Sequence, residues 1–153
     1  DEEKARLLAH LSGGRPGYAL RLLADPAALD FRGERLDDLH RLLSASRREK
    51  FAYAEKLAKD KDTMRQVLLL WLGYLRDVFL RVAFMPRTSG AAAPIANLDR
   101  AEEIESLAAR LSLPAARKLV HEHERAIERL EKNVNARLLA EVLLLDLPEV
   151  HHR

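Results

Sequence analysis

The stretch DTMRQVLLLWLGYLRDVFLRVAF, residues 62–84, decides what kind of fold this chain can adopt. Met64, Val67, Leu68, Trp71, Leu75, Val78 and Val82 recur at helical spacing, and Leu69, Leu70, Leu72, Phe79 and Leu80 widen the stripe over most of the circumference. A helix apolar on so many sides belongs at the centre of a bundle. Arg76, Asp77 and Arg81 interrupt the run, which a bilayer-spanning helix rarely tolerates, so it reads as the buried axis of a helical protein. Asp62 is its expected N-cap, and the helix should end before Pro86.

Composition extends the same reading to the rest of the chain. In 153 residues, 48% are apolar and 33% charged, with Leu, Ala, Arg and Glu abundant and only 5% aromatic. That mixture favours helix nearly everywhere and supports one sizeable core, with room for a helical piece of a second domain. There is no cysteine, which excludes disulfides and thiolate metal sites and fits a reducing cytoplasm. The pI is about 9.1 but the formal charge is only +2, because acids and bases alternate along most of the chain. The one biased run is Lys61 to Ile95, where Lys61, Arg65, Arg76, Arg81 and Arg87 face only Asp62 and Asp77.

Before the central helix, the chain opens on DEEKARLLAHL without a Met, as though inside a helix, and is expected to be a fragment of something longer. Leu7, Leu8 and Leu11 close this first helix at Gly13-Gly14. Pro16 starts a short second helix with Ala19, Leu20 and Leu23 inward, and Asp25-Pro26 caps a third carrying Leu29, Leu36, Leu39, Leu42 and Leu43, with a break expected at Gly33. From Ser46, Phe51, Ala54 and Leu57 form the inner side of a fourth.

After it, PRTSGAAAPIANLD, residues 86–99, reads as a long small-residue loop and the best candidate for disorder. Asp99 precedes a helix with Glu102 and Glu103 in its first turn; Ser112 and Pro114 begin another, amphipathic through Ala116, Leu119, Val120, His123, Ile127 and Leu130. Asn135 caps the last, whose buried side reads as Leu138, Leu139, Val142, Leu143 and Leu145 until Pro148 stops it. The expected fold class is therefore all-α, a bundle of about eight helices without internal repeats.

Three patterns carry a family resemblance: LSGGRPGYALRLL at residues 11–23, the run from Asp62 that ends in WLGYLRD at 71–77, and NVNARLLAEVLLLDLP at 133–148. In this order and spacing they resemble the C-terminal part of the bacterial DNA polymerase III clamp-loader subunit of the delta-prime type. The resemblance implies that residues 1–24 are the end of an AAA+ lid subdomain and that 25–150 are a collar domain through which clamp-loader subunits assemble into a ring. It implies motor-type gamma/tau and delta subunits as partners, indirect association with the sliding clamp and primed DNA, and a cytoplasmic, replisome-associated setting. In ATP-hydrolysing relatives an Arg that senses phosphate begins the helix after the glycine turn. Gly17 occupies that position here, a departure that fits the non-hydrolysing delta-prime type.

The residues agree on their own terms. Nothing reads GxxxxGK[ST], so no phosphate cradle is expected, and Ser44, Ser46 and Ser89 lack His and acid companions, so neither catalysis nor a cofactor is expected. His121 and His123 stand two apart on a helix and point in opposed directions, which disfavours a metal site. No role attaches to His151 and His152. Trp71 and Tyr74 read as core anchors in preference to a base-stacking platform. Arg47, Arg48 and Lys50 form a basic cluster diluted by Glu49 and Glu55. Candidate interface residues are Trp71, Leu72, Arg76, Asp77, Arg137 and Leu144. The expected function is non-catalytic, a domain that assembles clamp-loader subunits without a membrane or a small-molecule substrate; the alternative is an independent nucleic-acid-binding helical module using the Lys61 to Ile95 run.

Overall fold

Five side chains set where helices begin. Asp25 accepts from the Ala27 amide, Ser46 from Glu49, Asp60 from Asp62 and Thr63, Ser112 from Ala115 and Asn135 from Leu138, each satisfying donors that a helix start leaves unpaired. At Ser46 the arrangement is reciprocal, because the Glu49 carboxylate accepts from the Ser46 amide at 2.7 Å. The central helix is capped by Asp60, not by Asp62; Asp62 sits in the first turn, where its charge still faces the positive helix end. Gly13 and Gly14 take φ of 55° and 80° to turn the chain after the first helix.

The computed structural model describes residues 1–84 and 94–150, and among them eight α-helices and one 3-10 turn account for all regular structure. In chain order they are α1 (Glu2–Leu11), α2 (Pro16–Ala24), α3 (Pro26–Leu42), α4 (Arg47–Leu57), α5 (Lys61–Ala83), the turn Leu98–Arg100, α6 (Ala101–Ala108), α7 (Leu113–Glu131) and α8 (Ala136–Leu145). Part of the expected 86–99 loop, residues 86–93, lies outside the described residues. Within residues 94–99, Ile95 and Asn97 are buried and Pro94 and Asp99 exposed.

α5 is the axis. It packs most extensively on α7 and also on α6, α3 and α4, while α8 lies across α4 and touches α7. Trp71 is fully buried at the centre. Its indole Nε1 donates to the Arg35 carbonyl of α3 at 2.7 Å, its ring stacks on Tyr53 of α4 with centroids 5.9 Å apart, and it meets the His123 ring of α7 edge-on at 6.3 Å. One residue thus touches three neighbouring helices. The Tyr53 hydroxyl, buried by the same packing, donates to Asp38 at 2.8 Å.

Several faces differ from those read off the sequence. α3 runs unbroken through Gly33: the Arg100 guanidinium donates to the Gly33 carbonyl at 3.1 Å, and packing on both sides outweighs the roughly 1 kcal/mol that an internal glycine costs. On α4 the inner residues are Lys50, Tyr53, Ala54 and Leu57, and Phe51 is exposed. On α2 only Leu22 is buried, with Leu20 and Leu23 outside. On α8 the buried residues are Leu139, Ala140, Leu143 and Leu144, so Leu138 and Val142 face solvent.

Replacing Trp71 by Ala removes a side chain shared by three helices and should lower the unfolding free energy in a urea titration by about 3–5 kcal/mol. Leu69→Ala, two residues away on the exposed side of α5, should change it by no more than about 0.5 kcal/mol.

Candidate interaction surface

The outer side of α8 is built by spacing alone. Leu138, Val142 and Leu145 lie in one row along the helix, and Leu138 and Val142 keep 56% and 48% of their surface open. The adjacent row is ionic: Arg137 Nε reaches Glu141 Oε1 at 3.1 Å, one turn further on. Val134, just before the Asn135 cap, adds a third exposed apolar residue at the N-terminal end. An apolar row beside a paired charge row has the composition expected of an interface centre and its rim.

Sequence reasoning put Leu138 and Val142 on the buried side because ARLLAEVLLL is apolar on nearly every side, so periodicity does not choose among its faces. The available signal was Ala140. A small residue marks where another backbone comes close, and Ala140 on α8 and Ala54 on α4 are both fully buried in a pair of helices that pack on each other.

The six residues read from sequence as interface candidates fall into two groups. Trp71, Leu72 and Leu144 sit in the hydrophobic core, and Asp77 is buried beside it, so they have almost no surface to offer. Asp77 accepts the amides of Ala96 and Asn97 and the side-chain amide of Asn97, at 3.2, 2.8 and 2.7 Å. It pairs with this segment in place of the neighbouring Arg76. Arg76 is exposed and donates to Glu124 of α7 at 2.8 Å, and Arg137 is the exposed member that borders the α8 row. Gly17 is exposed in the first turn of α2.

The basic run along α5 is largely paired inside the chain. Arg65 meets Glu131 at 3.1 Å, Arg76 meets Glu124, Arg81 meets Glu105 at 2.9 Å, and Lys61 donates to the Asn133 side-chain oxygen at 2.8 Å. Arg87 lies outside the described residues. In the cluster at the start of α4, Arg47 and Arg48 are exposed and Lys50 is buried.

His121 is exposed and His123 fully buried, so the two imidazoles stand on opposite sides of α7. His123 Nδ1 lies 2.8 Å from the Leu119 carbonyl, which only accepts, so Nδ1 carries the proton and Nε2 is an acceptor without a partner among the described residues. Next to it, α7 and the end of α8 enclose a cleft of about 270 Å³ floored by Leu119, Leu143 and Leu147. Among the described residues no group of three His, Asp or Glu side chains converges as a metal site, and no helix is long and apolar enough to cross a membrane.

Among known proteins, the family model described as DNA polymerase III, delta subunit, C terminal matches residues 26–149. No curated protein and no solved structure matches the chain.

Burial pushes the His123 pKa below its ordinary value of 6.5, so the unfolded chain takes up this proton first as pH falls. The stability gained by burying a neutral imidazole is complete above about pH 6.5 and drains as pH falls from there towards the folded value. Chemical denaturation at about pH 7.5 and pH 5.5 should therefore show a loss on acidification that is smaller in His123→Leu.

Proposed function

The chain belongs to the clamp-loader family defined by the C-terminal domain of DNA polymerase III delta, and from that premise we propose that it is the assembly domain of a non-motor member of the clamp loader. Its work is geometric: the bundle holds a fixed outer surface against other clamp-loader subunits while nucleotide chemistry is done elsewhere in the complex. The observation that carries this reading is the α8 row of Leu138 and Val142, continued by the half-buried Leu145, an apolar strip that a bundle with a filled core leaves largely uncovered. Arg137 and Glu141 would form its rim.

Within the family we assign the chain to the delta-prime type, with a boundary between residues 24 and 25. Support comes from Gly17, which has no side chain to pair with a phosphate, and from the order of the three sequence patterns. For the boundary, Leu8 and Leu22 are buried but stay outside the main core, and the family match starts at Pro26, the first residue of α3. Motor-type and delta subunits are then the direct partners, the clamp and primed DNA are reached through them, and the setting is the cytoplasmic replisome. The nucleic-acid alternative has little free charge to work with, because Arg65, Arg76 and Arg81 are engaged by carboxylates of α6 and α7.

Light scattering after size exclusion, on the chain alone and mixed with collar domains of motor-type, delta and delta-prime subunits, tests this directly. Stable mixed species with motor-type and delta domains are expected. Leu138→Asp with Val142→Asp should weaken them by about 30-fold or more, the effect of losing at least one interface hot spot, while leaving the melting temperature of the free chain nearly unchanged. A chain that stays monomeric with every partner refutes the assembly role, and binding to delta-prime in place of delta moves the assignment to the delta type.

A further inference from the structure

Residues 94–100 form a short strap whose two sides are held very differently. On the bundle side it is bonded throughout. Asp77 of α5 takes the Ala96 and Asn97 amides and the Asn97 side-chain NH2. The Asn97 side-chain oxygen accepts from Arg32 of α3 at 2.6 Å, and Arg32 grips both Asp99 oxygens, at 2.7 and 2.8 Å. Arg100 reaches back to Asp37 and the Gly33 carbonyl on α3, at 2.6 and 3.1 Å, and forward to Glu103 on α6 at 2.9 Å. Ile95 is buried in the main core, while Arg32, Asp77 and Asn97 are all buried. Charges removed from water this way hold their positions only while every partner is present.

The other side carries α1. Contact there runs between α1 and the 3-10 turn, and the hydrogen bond is a long one, His10 Nδ1 to the Ile95 carbonyl at 3.3 Å. A cleft of about 470 Å³ separates the rest of the seam, with Lys4 and Leu7 on one wall and Leu98 and Asp99 on the other. α1 and α2 bury Leu8 and Leu22 outside the main core. The hairpin thus meets the bundle at two places, α1 on the strap and α2 on α3, to which α2 is joined through Asp25.

We propose that the 94–100 strap is a rigid seat that sets the position of the α1–α2 hairpin on the bundle, with Asn97 as its positioning residue. Asn97 joins α5 to α3 through one side chain, since its NH2 meets Asp77 and its oxygen meets Arg32. Through Asn97 the strap that carries α1 is tied to both helices. This reading is independent of which subunits the chain assembles with.

Hydrogen exchange of the full 153-residue chain tests the proposal. In Asn97→Ala, amides of α1 should exchange roughly tenfold faster, the shift expected from losing about one net hydrogen bond at the seat, while those of α5 and α7 keep their rates. Unchanged α1 rates in this variant overturn the proposal. Should Asn97→Ala loosen the whole bundle, His10→Ala decides, because it touches only the seam: faster exchange confined to residues 2–11 supports the seat, and unchanged exchange there overturns it.

Discussion

The burial of Trp71 is the constraint from which the bundle follows. An indole has one polar atom, and placing it at the centre of a helical core requires an acceptor at a fixed point; the Arg35 carbonyl supplies it and so sets how α3 lies against α5. The ring's two aromatic contacts, stacked on Tyr53 and edge-on to His123, set the depth of α4 and α7. Tyr53 can take its place only because Asp38, a turn away from Arg35 on α3, accepts its hydroxyl. A hydrophobic effect without direction thus acquires register from a few polar atoms.

The same logic applies further along α5, at Asp77. Asp77 and Arg32 are each too costly to bury alone, yet between them Asn97 offers a donor to one and an acceptor to the other. Burial tends to push the Asp99 carboxyl up, but the Arg32 hydrogen bonds and charge outweigh it and hold the group below the usual carboxylate range. The network is a weak source of net stability but a strict one of geometry, because any other arrangement of the strap strands a charge.

How much of this was legible beforehand follows from which signals are local. Helix starts at Asp25, Ser46, Ser112 and Asn135 were readable because a cap is a contact between residues two or three apart. The glycine turn at Gly13-Gly14 was readable for the same reason. Helix faces were not always readable. α8 has apolar residues in every direction, so its partner helix, not its own sequence, decides that Leu139 and Leu143 go in and Leu138 and Val142 stay out. Asp77 could not be separated from Arg76 by reading along the chain, because its partners stand 19 and 20 residues away. The small-residue run 94–99 looked like a loop because much of its order comes from long-range bonds to α3 and α5.

These two polar devices also bear on what the bundle can offer outside itself. Ion pairs with α6 and α7 engage Arg65, Arg76 and Arg81, three of the basic residues along α5, the helix that is richest in apolar residues. Phe51, Leu69, Phe84 and Leu113 stay open singly, while other open residues stand in rows. Leu138 and Val142 share one row of α8, and Leu20 and Leu23 lie one turn apart on α2. Polar atoms set the internal register of this fold, and the open apolar rows on α8 and α2 are the surfaces that the proposed assembly role would use.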